Sequence, residues 1–271
     1  ASRLQEAGAI VIYGVMAYKT HAKMMHMVRR EKGRLRHYAH LGTGNYHSRT
    51  ARLYTDYSLL TANEALCEDV HQVFQQLSGM GRARHIETLL HAPFTLHEGM
   101  VAMIDREAEH ARKGRRAHLI IKCNSLTEPK LIQALYRASR AGVECDLIIR
   151  GQCCLRPGVP GVSDNIRVRS IIGRFLEHTR VFHFHNNGRP EVWGSSADFM
   201  SRNMFHRVET CFPLLDRKLA ARVRKDLETY LVDNCQSWLL QPDGSYVKQT
   251  PGDAAPISAQ ETLLYAYAAK T

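Results

Sequence analysis

The sequence predicts an α/β protein in which mixed sheets are flanked by helices, and three observations support this fold class. Strand-like and helix-like stretches alternate through residues 117–149, which is the pattern of a βαβ unit. A pair of sequence blocks recurs later in the chain in the same order. The 271 residues, 44% of them hydrophobic and 23% charged, suit one large domain or two modest ones.

The first predicted elements are a helix end, a strand and a hairpin. Residues 2–8 are typical of the last turns of a helix that a glycine closes, and the apolar run 9–13 predicts a buried strand. Strands are predicted at 23–28 and 34–40, around a basic turn with Gly33 at its tip. Because the chain opens in the middle of a helical pattern, we expect a fragment whose upstream part has been removed.

The later elements alternate between the two periodicities. Strands are predicted at 117–122, 144–149, 166–168 and 181–184, and helices at 63–79, 95–114, 128–141, 219–231 and 258–269. No apolar run approaches the ~18 residues of a spanning helix, which excludes an integral membrane protein of the helical kind. Seven cysteines without a C-x-x-C pair favour reduced structural thiols in a cytosol-like compartment.

The charge is strongly basic and unevenly distributed. Lys and Arg number 37 against 26 Asp and Glu, a net charge of +11. Residues 1–60 hold ten basic and three acidic residues, so +7 of this excess is concentrated there. Such a concentration indicates a polyanionic partner: nucleic acid, an anionic membrane surface or a phosphate-rich substrate. A basic surface that serves only solubility is the alternative.

Two segments of the chain resemble each other. Residues 15–23 and 172–180 each place an aromatic residue three positions before a histidine and a cation two positions after it. Residues 42–49 and 194–202 each begin with a glycine-containing turn and end in Ser-Arg. The first pair is offset by 157 residues and the second by 153, so only the intervening loop differs in length. An internal duplication explains both matches.

The repeated residues suit phosphoryl transfer. If His21 and Lys23 lie on one strand, they point to the same face, where His21 can attack phosphorus while Lys23 neutralises the phosphate oxygens. The turn at 42–45 can direct backbone N–H groups at the same oxygens. His178 offers a second such face, so the two copies would meet at a cleft. A core or surface histidine is the competing interpretation for His21, and a structural relic of the duplication for His178.

These motifs resemble a known superfamily and one family within it. The pattern H-x-K followed by a Gly-Ser/Thr-x-Asn-like turn occurs twice and resembles the phospholipase D fold. The residues of the individual motifs resemble class 1 polyphosphate kinase. The motifs are YKTHAK at 18–23, LGTGNY at 41–46, RLYTD at 52–56 and GSSADFMSRN at 194–203. The resemblance implies phospholipase D-like lobes: residues 1–88 as the C-terminal portion of a truncated first lobe, and residues 89–271 as a complete second lobe.

The resemblance also implies an activity and its partners. The family reversibly transfers the terminal phosphate of ATP to inorganic polyphosphate through a phosphohistidine. ATP or ADP and polyphosphate are therefore the expected partners, without nucleic acid, in a cytoplasmic protein; peripheral membrane association and a homo-oligomer are left open. Mg²⁺ is expected to accompany ATP, but the family's metal-linked arginines would lie before residue 1, so no metal residue is assigned in this chain.

Site residues follow from the resemblance one at a time. His21 falls on the histidine that becomes phosphorylated, and His178 on the second essential histidine. Tyr54 and Arg150 fall on the family's nucleotide contacts, and His178 is expected to contact ATP as well. The expected phosphate contacts, for which plain surface charge is the competing explanation, are Lys23, Asn45, Arg49 and Arg202.

Two departures from the superfamily pattern bear on the choice of activity. Arg180 stands where Lys is usual, and the Asp expected five residues after the cation is Val28 in one copy and His185 in the other. Both argue against a plain lipid phosphodiesterase. The alternatives that remain are a phosphodiesterase or nuclease of the same superfamily, and a non-catalytic polyanion-binding fragment. Because the first lobe is expected to be truncated, we also expect polyphosphate binding with little turnover.

Overall fold

A computed structural model describes residues 1–14, 18–79 and 86–268 and forms seven α-helices and fifteen strands within them. The helices are α1 Ser2–Glu6, α2 Glu64–Leu77, α3 Leu96–Arg112, α4 Pro129–Arg140, α5 Ser201–Phe205, α6 Arg217–Leu231 and α7 Ala259–Ala268. The strands are β1 Lys19–Thr20, β2 Lys23–Glu31, β3 Arg34–Gly42, β4 Tyr54–Thr55, β5 Ser58–Thr61, β6 Leu90–Ala92, β7 His118–Cys123, β8 Glu144–Ile149, β9 Ile166–Ile171, β10 Leu176–Glu177, β11 Val181–Phe184, β12 Glu191–Ser195, β13 Arg207–Pro213, β14 Ser237–Leu240 and β15 Tyr246–Lys248.

A ten-stranded mixed sheet dominates the structure. Its order is β1-β13-β12-β11-β7-β8-β9-β14-β15, with β6 beside β13. Helix α4 connects β7 to the parallel strand β8, which confirms the predicted βαβ unit, and β9 continues the parallel part. The α/β fold class with mixed sheets and flanking helices is therefore confirmed.

The central strands of this sheet are buried on both faces. Side chains alternate along β7, so Leu119 and Ile121 pack into one core with α3 and α4. Ile120, between them, packs into a second core with Val223 and Leu227 of α6. This double burial explains why the strands read as continuous apolar runs in the sequence. Within the described ranges, no helix is long and apolar enough to cross a membrane.

A second, three-stranded sheet holds the basic hairpin. Strands β2 and β3 pair in antiparallel register from Lys23 opposite Gly42 to Glu31 opposite Arg34, and β5 pairs with β3. The turn between them places Lys32 and Gly33 at positive φ, +49° and +79°, as a tight two-residue hairpin connection requires. Helix α2 packs on one face of this sheet, and the predicted hairpin is confirmed.

The predicted strand at residues 9–13 is wrong. These residues form no helix or strand, and Ile10 and Tyr13 are 89% and 80% exposed. A buried strand requires a neighbouring strand to satisfy its backbone groups, and within the described ranges none pairs with this segment. The helix end before it is confirmed, since α1 is closed by Gly8 at φ +85°. Residues 15–17, which open the first repeat block, and Ala269 lie outside the described residues.

Two short parallel pairings connect the first and second parts of the sequence. Strand β1 pairs with β13, and β4 pairs with β10. Each pairing joins a strand from before residue 88 to a strand from after it. The division into lobes at residue 88 stays a prediction.

Candidate active site

His21 lies at a junction between the two parts of the sequence. Lys19 and Thr20 of β1 pair in register with Arg207 and Val208 of β13. This register brings His21, which follows β1, next to Glu209 of β13. The backbone N–H of His21 donates to Val208 O at 2.9 Å, and Nδ1 of His21 lies 2.8 Å from Oε2 of Glu209. His21 follows a strand instead of lying within one. The predicted alternation of side chains along a strand therefore does not explain the orientation of His21.

Glu209 is a fully buried carboxylate held by three partners. Besides His21, the Ser196 hydroxyl donates to Oε2, and the Asn203 amide donates to Oε1 at 2.6 Å. Because a carboxylate only accepts hydrogen bonds, Nδ1 of His21 carries the proton. In the neutral ring, Nε2 of His21 then keeps its lone pair and can act as a nucleophile.

His178 is also paired with a carboxylate, but here the histidine comes from the second copy of the repeat and the carboxylate from the first. Strand β10 pairs with β4 in the register that brings His178 next to Asp56. Nδ1 of His178 lies 2.9 Å from both Asp56 oxygens, and the Thr43 hydroxyl donates to Asp56 Oδ1 at 2.7 Å. Each histidine is therefore paired with a carboxylate from the other copy of the repeat.

The spacing of the two carboxylates in the chain matches the offset of the repeat. Glu209 follows Asp56 by 153 residues, and Ser196 follows Thr43 by the same number. That spacing equals the offset of the second sequence block. Sequence reasoning did not assign Glu209 or Asp56 to the site, although the offset applied to Asp56 of the RLYTD motif would have found Glu209.

The cations differ between the two copies. In the second copy, Arg180 is buried and makes a bidentate pair with Asp198, at 3.1 Å from Nε and 2.9 Å from Nη2. In the first copy the equivalent cation is Lys23, and the residue equivalent to Asp198 is the neutral Asn45. Nζ of Lys23 is buried and has no hydrogen-bond partner among the described residues. One cation is neutralised and the other is not.

The pKa of Lys23 is lowered to about 8, mainly by burial; the Arg180 and Arg207 guanidinium groups act in the same direction, and Glu209 and Asp56 oppose it. Its 6% exposed side chain is therefore a cation at neutral pH that lacks a fixed counter-ion. Such a group favours binding of an anion next to His21.

Tyr54 and Arg150 both approach His178. The Tyr54 and His178 ring centroids are 5.0 Å apart. Nε of Arg150 donates to the backbone carbonyl of Glu177 at 2.6 Å and to Asn124 Oδ1 at 3.1 Å. Burial lowers the pKa of His178, with Arg180 acting in the same direction and the hydrogen bond to Asp56 opposing it. The structure thus brings three predicted site residues together.

A buried ion pair, absent from the sequence prediction, lies behind His178. Nζ of Lys122 is 2.7 Å from Glu177 Oε2, and both side chains are almost fully buried. Thr55 and Gln260 donate to the same carboxylate at 2.9 and 2.7 Å. A fully hydrogen-bonded buried pair of this kind fixes the backbone that carries His178.

The remaining predicted phosphate contacts lie on the surface. Asn45 and Arg49 are exposed in the loop after β3, and Arg202 is exposed in α5. Among the described residues, none of the three makes a hydrogen bond or ion pair with His21 or His178. Their role stays a prediction.

The carboxylates around the two histidines do not fit a magnesium site. Glu209, Asp56 and Asp198 are each bound to a histidine or an arginine. Across residues 1–14, 18–79 and 86–268, no group of three His, Cys, Asp or Glu side chains is arranged to hold a metal ion. The expectation that Mg²⁺ accompanies ATP therefore gains no support from these residues.

The cysteines are free thiols, and several of them are made poor nucleophiles by burial. All seven are unpaired. Burial raises the pKa of Cys123, Cys145 and Cys211 far above the ordinary range, and that of Cys153 to about 11. Such thiols stay protonated, so these four are poor nucleophiles.

Family models match most of the chain. The model described as "Polyphosphate kinase C-terminal domain 1" matches residues 1–83, and "Polyphosphate kinase C-terminal domain 2" matches residues 89–260. The second match alone covers more than half of the residues. The chain belongs to the polyphosphate kinase family. It corresponds to the C-terminal part of that family, as the sequence motifs predicted.

Individual polyphosphate kinases agree with this assignment. The chain is 62% identical over 270 residues to polyphosphate kinase of Pseudomonas aeruginosa, covering 99% of this chain and 39% of that protein. It is 58% identical over 266 residues to polyphosphate kinase of Xylella fastidiosa, covering 97% and 38%. The chain thus spans about two fifths of the length of the curated relatives it matches.

A solved polyphosphate kinase has the same fold. The crystal structure of polyphosphate kinase from Porphyromonas gingivalis matches with a TM-score of 0.94 and 36% sequence identity. The match covers 99% of this chain and 42% of that chain. The predicted fold class of the polyphosphate kinase lobes is therefore confirmed over essentially the whole chain.

Proposed function

We propose that this chain is the C-terminal catalytic region of a polyphosphate kinase that reversibly transfers the terminal phosphate of ATP to inorganic polyphosphate through a phosphohistidine on His21. One observation carries the proposal. Nδ1 of His21 donates to Oε2 of Glu209 at 2.8 Å, so Nε2 is the free nucleophile. The unpaired ammonium of Lys23 is buried two residues further along the chain.

In the first step, Nε2 of His21 attacks the γ-phosphorus of ATP. The N–P bond forms as the P–O bond to ADP breaks, and ADP leaves with that electron pair. Lys23 stabilises the non-bridging oxygens, and Glu209 stabilises the positive charge that develops on the ring. In the second step, a terminal oxygen of polyphosphate attacks the same phosphorus and the N–P bond breaks. The chain is then one phosphate longer, and the reverse sequence makes ATP from ADP.

His178 is assigned to the opposite side of the transferred phosphate. Its Nδ1 is oriented by Asp56, so the rest of the ring can polarise the phosphate or carry a proton to or from it. Tyr54, whose ring lies 5.0 Å from His178, is assigned to stacking on adenine, and Arg150 to the phosphates of the nucleotide. Asn45, Arg49 and Arg202 are assigned to more distant phosphates, and Mg²⁺ is assigned to the nucleotide.

The surroundings of the protein are also proposals. The cytoplasmic location, peripheral membrane association and self-association stay predictions from sequence. The absence of a nucleic-acid partner is a prediction of the same kind.

The test is single-turnover labelling with γ-³²P-ATP. The chain is grafted in place of the matching region of the Pseudomonas aeruginosa enzyme, a chimera made practical by 62% identity. We expect His21→Ala to abolish acid-labile label, His178→Ala to slow labelling, and His110→Ala in α3 to leave it unchanged.

Two outcomes contradict the proposal. Undiminished label in His21→Ala excludes His21 as the covalent site. Release of the label to water in the presence of polyphosphate, without chain growth, identifies the phosphodiesterase or nuclease alternative instead.

A further inference from the structure

One face of the hairpin sheet is exposed and leads away from Lys23. Side chains alternate along β2, so Met25, Met27 and Arg29 share the face of Lys23, whereas Met24 packs toward α2. The register places His40, Tyr38 and Arg36 of β3 opposite Met25, Met27 and Arg29, respectively. We call this surface the outer hairpin face. It begins at the candidate active site and ends at the hairpin tip.

The far end of the outer hairpin face concentrates positive charge at a cost to the fold. Arg29 and Arg36 are exposed and directly opposite each other in the register. Like charges in directly opposed positions destabilise a sheet. The next pair on this face is Glu31 and Arg34. Glu31 lies 3.6 Å from Arg29, and its two oxygens share the hydrogen bond that the Tyr38 hydroxyl donates. Three cations against one carboxylate leave this end positive.

The path between the two positive ends carries one negative group, the Glu31 carboxylate, which reaches back from the tip to the Tyr38 hydroxyl. Met25 and Met27 are 53% and 57% exposed, and their partners across the register are His40 and Tyr38. Lys23 and Arg29 are six residues apart on one strand, a span of roughly 20 Å. A linear polyanion that runs from one end to the other therefore meets a single carboxylate, that of Glu31, and Arg29 lies 3.6 Å from it.

We propose that the outer hairpin face binds the body of the polyphosphate chain, with the chain terminus at His21 and Lys23 and the following phosphates on Arg29, Arg36 and Arg34. This inference rests on the proposed function, which supplies the substrate. The face suits a polyphosphate because it has cations at both ends of one strand, and its near end is the candidate active site. Charge complementarity and this continuity select the occupant.

The experiment measures binding of two probes to the full 271-residue chain. Inorganic tripolyphosphate reaches only the active-site end, whereas long-chain polyphosphate spans the whole face. The variant Arg29→Gln/Arg36→Gln removes two charges from the outer hairpin face. The matched control Arg30→Gln/Lys32→Gln removes two charges from the same hairpin, because Arg30 points to the opposite face and Lys32 lies in the turn.

We expect Arg29→Gln/Arg36→Gln to weaken long-chain polyphosphate about tenfold and to reduce the salt dependence of its binding by roughly one to two in slope. Tripolyphosphate affinity should not change. The control should weaken long-chain binding less than about threefold, since Arg30 points away from the outer hairpin face and Lys32 lies in the turn at its end. The melting temperature of the variant should be kept or rise, because opposed like charges are removed.

Three outcomes overturn the proposal. Equal loss in both double variants means that net charge alone attracts polyphosphate. Loss of binding to anionic phospholipid vesicles in Arg29→Gln/Arg36→Gln, with long-chain binding intact, assigns the face to a membrane surface. Tripolyphosphate binding that is absent, or unaffected by Lys23→Met, contradicts the proposed function itself, whereas the first two outcomes contradict only the outer hairpin face.

Discussion

Oε2 of Glu209 lies 2.8 Å from Nδ1 of His21, although 188 residues separate the two in the chain. The contact exists because β1 and β13 pair in parallel register immediately before these residues. Ser196 and Asn203 occupy other acceptor positions of the carboxylate, which fixes its orientation. The proton on His21 is thereby held at Nδ1 by a buried partner of constant geometry.

We expect Glu209→Gln to lower labelling of His21 by about 10²- to 10⁴-fold, the range seen when the carboxylate that orients a catalytic histidine becomes an amide. The amide keeps the volume but loses the charge that stabilises the developing imidazolium. Single-turnover labelling of the chimera measures the loss. Asp56→Asn, the equivalent change on the His178 side, is the control and should reduce labelling by less. Equal losses would show that Glu209 has no special relation to the nucleophile.

We expect Lys23→Met to stabilise the fold while it impairs phosphate transfer. Methionine fills a similar space without a buried charge. The lowered pKa of Lys23, about 8 against 10.5, corresponds to about 3 kcal/mol of unfavourable burial of the charged form at neutral pH. Chemical denaturation should therefore show a higher free energy of unfolding. Lower stability in this variant would mean that Lys23 has a structural partner in solution.

The same residue gives a pH dependence with opposite signs for activity and stability. Below about pH 8 the Lys23 ammonium is charged and stabilises phosphate; above it the charge is lost and transfer should slow. Between about pH 8 and 10.5 the unfolded state binds the extra proton, so stability should rise with pH through this residue. Lys23→Arg should keep transfer constant across pH 8. A decline in that variant like that of the wild type would exclude Lys23 as its cause.

We expect Gly44→Ala to uncouple Asp56 from His178. A Cβ at Gly44 would lie 2.1 Å from Asp56 Oδ2, so the carboxylate must move away and lose its contacts with His178 and Thr43. Phosphate transfer should fall about tenfold or more, as for the loss of one positioning interaction. The NMR-detected pKa of His178 should also fall, because its stabilising hydrogen bond is gone. Gly42→Ala is the control, since its Cβ meets only ordinary contacts beyond 3.4 Å.

We expect Arg150→Lys to lower activity by roughly one to three orders of magnitude, as for the loss of one donor to a transferring phosphate. Lysine keeps the charge but lacks both the guanidinium fork that can bind a phosphate and the Nε that donates to Glu177 O and Asn124 Oδ1. Activity and melting temperature of the chimera should be measured together. A large drop in melting temperature with near-normal specific activity would show that Arg150 supports the fold and not the reaction.

Local pattern was enough to predict most elements of the fold. The βαβ unit around α4 and the hairpin at Gly33 follow from alternation and turn chemistry, which act within a few residues. The strand prediction for residues 9–13 failed because an apolar run forms a strand only when a partner strand is present. Partner strands are set by the tertiary structure. The very short strands β1, β4 and β10 were not predicted, because two residues carry no periodicity.

The sequence singled out the two histidines of the candidate site and not the side chains that the structure pairs with them. His21, Lys23 and His178 repeat in short motifs that a sequence reader can align. Glu209 and the Lys122–Glu177 pair lie far from those motifs in the chain, and their contacts arise from strand register and burial. The sequence shows a neutral Asn45 at the position equivalent to Asp198 in the repeat. The meaning of this difference depends on knowing that Arg180 binds Asp198.

The crossed pairing of histidines and carboxylates also constrains how such a protein can have evolved. A chain with a single copy of the repeat would have carried a histidine and a carboxylate that cannot reach each other, so two molecules would have had to associate for either to work. Joining the copies in one chain made the partnership permanent and ended the requirement that both be identical. One copy could then retain an uncompensated lysine while the other acquired an arginine paired with Asp198, so the surroundings of His21 and His178 now differ in charge.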